Sequence, residues 1–165
     1  VFNADYEVAQ LYKKNKNVIK KKKKSLPKYI SLFPVEKIEI CQAILANEHN
    51  LKKIIKIVHP EIRKKINGFL KKNKYKKIVI LDIPLLLENK INKKNDILVY
   101  VQSNKIEILA RLKKRKNFNP KLLKKFKIVQ LPISHKKKKS HFIIKNDFTK
   151  KSVKRGIKNI LREIK

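Results

Sequence analysis

The pattern of apolar and polar residues predicts strands that alternate with helices. Its most apolar stretch is residues 76–88, where Ile78–Leu81 form a continuous apolar run that ends at Asp82. A run without alternation is typical of a strand buried on both faces of a parallel sheet. Asp82 would then lie at the carboxyl end of this strand, the edge where ligands bind in open α/β sheets. We therefore expect the chemistry of this protein near residues 82–88.

The same reasoning predicts the other elements. We expect a strand end at residues 1–3, strands at residues 96–101 and 141–146, and helices at residues 6–12, 34–45, 50–72, 104–116, 121–130 and 149–164. The strand at residues 96–101 should be buried, and residues 131–140 should be a polar, lysine-rich connection. Alternating strands and helices favour an α/β fold with a parallel sheet.

The longest helical pattern, residues 50–72, contains a proline. Pro60 lacks an N–H group and its ring clashes with the preceding turn, so we expect it to break or kink the helix. His59 would lie at the bend, with Arg63 one turn later on the same face. A polar cap at the bend explains His59 equally well, so its role stays open.

Three further charged residues are candidates for chemistry. Asp5 precedes a helical pattern and is placed as an N-cap, which is a simpler explanation than catalysis. Arg111 and Arg115 are four residues apart in a predicted helix, so they would project from one face. Two guanidinium groups on one face suit a polyphosphate, and a solvated helix surface remains the alternative.

The large positive net charge does not by itself indicate a nucleic-acid-binding protein. The chain has 46 Lys and Arg against 12 Asp and Glu, a formal net charge of +34, but only five of the 46 are arginines. Arginine is the residue that reads phosphates and base edges bidentately. The lysines accompany many Asn and Ile residues, whose codons are also AT-rich, so codon bias explains the composition without selection for nucleic-acid binding. The Lys20–Lys24 run is expected to be a solvated loop or helix face.

Several classes of site are disfavoured. Cys41 is the only cysteine, so we expect no disulfide framework and a reducing, cytoplasmic location. We expect no signal peptide and no transmembrane segment. Histidines and cysteine show no metal-ligand spacing. The only glycines are Gly68 and Gly156, so these 165 residues contain no glycine-rich phosphate loop.

Taken in order, several segments resemble the dephospho-CoA kinase family. They are residues 1–5 (its aspartate-alanine-aspartate segment), 50–63 (its histidine-proline helix), 82–88 (its proline-leucine-leucine-phenylalanine-glutamate segment), 111–115 (its lid arginines), 130–132 (its glutamine-centred lid helix) and 142–146 (its final strand). No single segment is decisive, but their order and spacing together are specific.

The resemblance implies that ATP phosphorylates the ribose 3′-hydroxyl of dephospho-CoA, the last step of coenzyme A biosynthesis. ATP and dephospho-CoA would be the partners, with Mg²⁺ bound to ATP and no separate metal site. Asp5 would be the base that accepts the hydroxyl proton, and Arg111 and Arg115 would close over the phosphates. Lys136 would lie near the adenine. The acceptor site would be lined by His59, Arg63, Asp82, Pro84, Leu85, Leu86 and Glu88.

The resemblance also implies a fold: a three-layer parallel sheet with flanking helices, similar to P-loop NTPases, with helical acceptor-binding and lid insertions. One domain would span residues 1–165. Its core would be residues 1–15, 76–111 and 141–165, its acceptor-binding part residues 16–75 and its lid residues 112–140. We expect a monomer or weak homo-oligomer, with no membrane partner and no specific nucleic-acid partner.

The chain departs from the family at identifiable positions. Asn3 replaces the first aspartate of the family's pair, which weakens any Mg²⁺ contact made through it, and His141 replaces a frequent aspartate. The family's first strand, phosphate loop and helix have no counterpart in these residues. Because the sequence starts without Met, we expect a truncated sequence or a decayed gene product. We expect negligible kinase activity and poor stability of the 165 residues.

Two alternatives stay open. One is another nucleotide or nucleoside kinase of the same fold, which the histidine-proline helix followed by residues 84–88 disfavours. The other is a lysine-rich nucleic-acid-binding protein. Aromatic residues make up only 7% of the chain and are not interleaved with the basic runs, which counts against that alternative.

Overall fold

The computed structural model describes residues 1–30 and 34–164. In this part of the chain four short strands and eight helices follow one another. They are β1 (Phe2–Asn3), α1 (Ala4–Lys14), α2 (Lys16–Ser25), α3 (Lys37–Ala46), α4 (Glu48–Lys72), β2 (Leu81–Asp82), β3 (Val99–Gln102), α5 (Lys105–Lys113), α6 (Pro120–Ile128), α7 (Ile133–Lys139), β4 (Phe142–Lys145) and α8 (Lys150–Glu163). The predicted α/β class is confirmed, with strands that pair in parallel.

The chain forms two compact units. The first contains Val1–Leu86 and Lys121–Ile128, and the second contains Leu87–Pro120 and Val129–Lys165. The division into core, acceptor-binding part and lid stays a prediction. None of the helices in the described ranges is long and apolar enough to cross a membrane.

The first unit is built mainly from α1–α4 around an apolar core. Apolar residues from all four helices are buried in it, including Leu11, Val18, Ile44 and Ile54. An ion pair between Glu7 and Lys65 joins α1 to α4 over 2.7 Å. Periodic apolar positions on each helix predict this packing, because a helix in a protein is stabilised mainly by the burial of its apolar face.

Two predictions about the lysine run and Pro60 need correction. The other four lysines of the run are exposed on α2 as predicted, but Lys22 is fully buried. It follows the buried Val18 by one turn on the inner face of α2. α4 continues through Pro60, so of the predicted break or kink the break does not occur, and the kink stays a prediction. Val58 and Ile62, on either side of Pro60, are buried, and their packing offsets the cost of about 3 kcal/mol for an internal proline.

The pairing of β1 with β2 places Phe2 opposite Leu81 and Asn3 opposite Asp82. The prediction that the strand before Asp82 is buried on both faces is wrong, since Ile78 and Ile80 are half exposed. In the described part of the chain β2 is two residues long and pairs with β1 alone. So short a ladder with one neighbour cannot cover both faces of the segment that precedes it.

In the second unit β3 pairs with β4 in parallel, with Val99 opposite Phe142 and Gln102 opposite Lys145. Ile144 of β4 is buried, and α8 approaches it at Gly156. A Cβ atom at position 156 would lie 2.9 Å from Ile144 Cγ2, so the glycine permits this close approach. The prediction that β3 is buried is wrong, since Val99 and Val101 are exposed.

His141 performs a structural task next to this strand pair. Its Nδ1 accepts a hydrogen bond from the Leu98 N–H at 2.9 Å, while its own backbone N–H donates to the Leu98 carbonyl oxygen. A carboxylate at position 141 could accept the same N–H. The replacement of the family's frequent aspartate by His141 therefore preserves an acceptor at this position.

Candidate functional site

The first part of the candidate site lies where β1 and β2 end. The Asn3 side chain donates to Asp82 Oδ2 at 3.0 Å, and its own oxygen accepts the Tyr6 N–H at 2.8 Å. Asn3 is thus the N-cap of α1, and the prediction of Asp5 as the cap is wrong. A cap oxygen binds the N–H two or three residues later, which fits Asn3 with Tyr6.

Asp5 lies exposed in the first turn of α1. In residues 1–30 and 34–164 no hydrogen bond or ion pair engages its carboxylate. Because β1 and β2 are parallel and end in register, Asp5, which follows β1, and Asp82, the last residue of β2, lie at one edge of this unit. An uncommitted carboxylate here is able to orient a hydroxyl group and take its proton.

His59 and Arg63 lie one turn apart on α4, as predicted. His59 is half-buried and Arg63 is exposed. Burial lowers the pKa of His59, and the positive charge of Arg63 lowers it further. At neutral pH His59 is therefore an uncharged hydrogen-bonding group, and Arg63 supplies the positive charge of this turn.

The segment that follows β2 is a series of turns. Pro84 is exposed, while Leu85 and Leu86 are half-buried. Leu85 has φ of 56°, in the left-handed region that non-glycine residues rarely adopt. Such conformations cost about 1–3 kcal/mol and concentrate at functional sites, so the backbone here is held by its surroundings.

Glu88 lies in the second unit, where it is bound on two sides. Its Oε1 lies 2.6 Å from Lys136 Nζ and accepts the Leu131 N–H at 3.0 Å. The Glu88 side chain is 8% exposed and that of Lys136 20%. Burial raises the pKa of Glu88, but the hydrogen bonds from Lys136 and Leu131 and the charge of Lys136 outweigh it, so the pKa lies below its usual value.

This contact joins two residues that the resemblance assigns to different substrates, Glu88 to dephospho-CoA and Lys136 to the adenine. Lys136 lies on α7, so the prediction of a polar connection at residues 131–140 is wrong. Lysine-rich stretches show little hydrophobic periodicity, and α7 is fixed by contacts distant in sequence such as this one.

The two candidate lid arginines are not on one helical face. α5 ends at Lys113, and the Arg115 N–H donates to the Leu112 carbonyl oxygen at 3.0 Å. This tighter turn takes Arg115 off the helix. Arg111 remains on α5, and its guanidinium carbon lies 3.9 Å from the ring centroid of Phe148.

The sequence pattern did not indicate two residues of this region. Phe148 is an aromatic residue in the polar link between β4 and α8, which is a signal that could have been noticed. Its φ of 63° is also in the left-handed region, and its N–H donates to Asn146 Oδ1 at 2.8 Å. Leu131 contributes only a backbone N–H, for which a sequence carries no signal.

The chain is similar to known dephospho-CoA kinases. The family model described as dephospho-CoA kinase matches residues 9–152. A dephospho-CoA kinase of Wolbachia pipientis wMel is 32% identical over 163 residues, which cover 98% of this chain and 83% of that protein. The dephospho-CoA kinase of Wolbachia sp. subsp. Brugia malayi (strain TRS) is 29% identical with the same coverage. That of Bartonella quintana (strain Toulouse) is 30% identical over 146 residues, covering 87% of this chain and 74% of that protein.

Proposed function

The chain belongs to the dephospho-CoA kinase family, and from this we propose that it takes part in the family's reaction, the transfer of the γ-phosphoryl group of ATP to the ribose 3′-hydroxyl of dephospho-CoA. The observation that carries the proposal is the parallel pairing of β1 with β2. It supports a site in which Asp5 and the segment after Asp82 serve the same acceptor.

Asp5 acts as the general base. Its carboxylate accepts the proton of the 3′-hydroxyl while the hydroxyl oxygen bonds to the γ-phosphorus. The bond between that phosphorus and the oxygen bridging it to the β-phosphate breaks, and ADP leaves. Support comes from the exposure of Asp5 and from the capping of α1 by Asn3, which leaves the Asp5 carboxylate uncommitted.

Positive charge from Arg111 and Arg115 offsets the charge that develops on the phosphoryl oxygens. Arg63 meets phosphate groups of the acceptor, and uncharged His59 offers it a hydrogen bond. Pro84, Leu85 and Leu86 line the acceptor site, together with Asp82. Lys136 lies near the adenine of ATP.

Mg²⁺ bound to ATP would supply neutralisation of the phosphate charge. The residues at the ends of β1 and β2 offer few ligands for Mg²⁺. Asp82 offers a carboxylate, of which one oxygen already accepts the Asn3 amide. Asn3 offers no charge, and its oxygen caps α1. Any contact from this chain would therefore come through Asp82.

The proposed architecture is the three-layer parallel sheet of P-loop NTPases with helical acceptor-binding and lid insertions. The proposed setting is the cytoplasm, as a monomer or weak homo-oligomer. Because the 165 residues contain no glycine-rich loop to hold the ATP phosphates, we propose that this chain alone has negligible kinase activity. Formation of ADP from ATP and dephospho-CoA at the rate of a complete family enzyme would contradict that statement.

Binding of dephospho-CoA tests the acceptor side directly. We expect isothermal titration calorimetry of the 165-residue chain to show saturable binding that coenzyme A competes away and nucleoside monophosphates do not. Arg63→Met should weaken it, while Arg155→Met, which removes an exposed arginine of α8, should not. Competition by nucleoside monophosphates would favour another nucleotide kinase of this fold. Loss of all binding between low and high salt, for both variants alike, would favour a polyanion-binding protein.

A further inference from the structure

We infer that Glu88 is a positioning residue for α7, acting through Leu131 and Lys136, and that it does not bind the acceptor nucleotide. The inference rests on the proposed function, in which α7 carries Lys136 towards ATP. Glu88 would then serve the donor side of the reaction, although its sequence segment resembles the acceptor side.

The burial of Glu88 leaves little of the carboxylate open to a ligand. A single oxygen, Oε1, receives both the Lys136 ammonium and the Leu131 N–H. The side chain is 8% exposed, and the pKa of the carboxyl lies below its usual value, so the group is ionised at neutral pH. Removing either donor would leave a charged group buried without its partner, which is strongly unfavourable.

The two contacts flank the start of α7. Leu131 comes immediately before the N-cap residue Pro132, and Lys136 lies one turn inside the helix. A contact before the cap fixes where the helix starts, and a contact one turn later fixes its rotation about its own axis. Together they determine which side chains of α7 face which way.

That constraint is needed because α7 contains little else to fix its rotation. Lys136–Lys139 are four consecutive lysines, and α7 has no buried residue. Its one apolar residue, Ile133, is 44% exposed, so α7 has little hydrophobic preference for one orientation. By pairing with Lys136 alone, Glu88 distinguishes it from its three neighbours.

The experiment compares Glu88→Gln, Glu88→Ala and Lys136→Met with the matched control Lys139→Met, which removes an exposed lysine of the same helix. Exchange of the Leu131 amide hydrogen is followed by NMR in the 165-residue chain. We expect Glu88→Ala to accelerate it by about tenfold or more, since the amide loses a charged acceptor. Lys139→Met should leave it unchanged. Glu88→Gln keeps the volume of the side chain and guards against a general loss of folding.

Two further measurements separate positioning from a merely structural role. The carboxyl ¹³C titration of Glu88 should show its pKa rising in Lys136→Met and not in Lys139→Met. The dissociation constant for dephospho-CoA should stay within about twofold in Glu88→Gln. A weakening of about tenfold with unchanged Leu131 exchange would overturn the inference and return Glu88 to the acceptor site. If the unsubstituted chain binds no dephospho-CoA, the proposed function fails, while unchanged exchange in Glu88→Ala would separately refute the contact with α7.

Discussion

Replacing Lys22 by methionine is expected to stabilise the protein. Lys22 is fully buried in α2, with Val18 and Leu26 buried one turn before and after it. Its ammonium lies 3.2 Å from the ring centroid of Tyr12 and has no hydrogen-bond partner in residues 1–30 and 34–164. Lys22 therefore brings a charge into a core formed mainly by apolar residues.

The magnitude follows from the pKa of the ammonium. Burial lowers the pKa of Lys22 from 10.5 to about 7. At about 1.36 kcal/mol per pH unit, this gap means that folding disfavours the charged form by about 5 kcal/mol. The contact with the Tyr12 ring favours the ammonium, so this figure is an upper limit. Lys22→Met should therefore gain up to about 5 kcal/mol at or below pH 7.

The pH dependence has a definite sign. The unfolded chain keeps the Lys22 proton up to pH 10.5, whereas the folded chain loses it above about pH 7. Between these values the unfolded state binds more protons, so the stability of the native protein rises with pH. The advantage of Lys22→Met should thus be full at or below pH 7 and should shrink as the pH approaches 10.5.

Urea unfolding followed by circular dichroism, at about pH 7 and about pH 9.5, measures the effect. The matched control is Lys21→Met, which removes an exposed lysine from the same helix. Many lysines of this chain lose charge as the pH rises, which reduces general repulsion in every variant. The informative quantity is therefore the difference between Lys22→Met and Lys21→Met. A Lys22→Met chain that is less stable than the control at pH 7, or a difference that does not shrink at the higher pH, would refute the reasoning.

Two further substitutions test the packing and the strand ends. Gly156→Ala should lower the melting temperature, because overpacking against the buried, branched Ile144 costs about 1–3 kcal/mol and exceeds the gain in helix propensity. The same change at Gly68, where nothing lies within 4 Å, should instead stabilise α4 by about 1 kcal/mol, and equal calorimetric shifts would contradict this account. Asn3→Asp should destabilise the protein by about 1 kcal/mol at neutral pH, since a hydrogen bond to Asp82 becomes a contact between like charges. Urea unfolding should show a smaller loss of stability near about pH 3.5. A loss of stability that does not depend on pH would contradict repulsion between the two carboxylates as its cause.

The helices with periodic apolar positions were the most predictable part of the fold. The periodic apolar positions of α4 and the turn chemistry around Asn3–Ala4 are local, so the sequence indicates them to within a few residues. Burial was less predictable, because it depends on what covers a segment. Ile80 has the neighbours of a buried strand residue in the sequence but is half exposed in the structure.

The contacts of the candidate site were less predictable still. Its residue types were identified from segments that resemble a family, and their proposed roles are untested. The pairing of Glu88 with Lys136 could not be inferred, because it joins residues far apart in sequence through a helix of weak periodicity. Lys22 illustrates the opposite error, since a run of five lysines gives no indication that one of them faces the core.

The position of the Arg111 guanidinium over the Phe148 ring has a consequence for which of its atoms remain accessible. An aromatic ring holds a guanidinium group by its flat face, whereas a carboxylate would bind its edge. The edge carries all five N–H donors, so stacking restrains the group while its donors and its full charge stay available to an anion. A lysine at position 111 has no flat face to offer Phe148, so Arg111→Lys would retain the charge and lose the orientation.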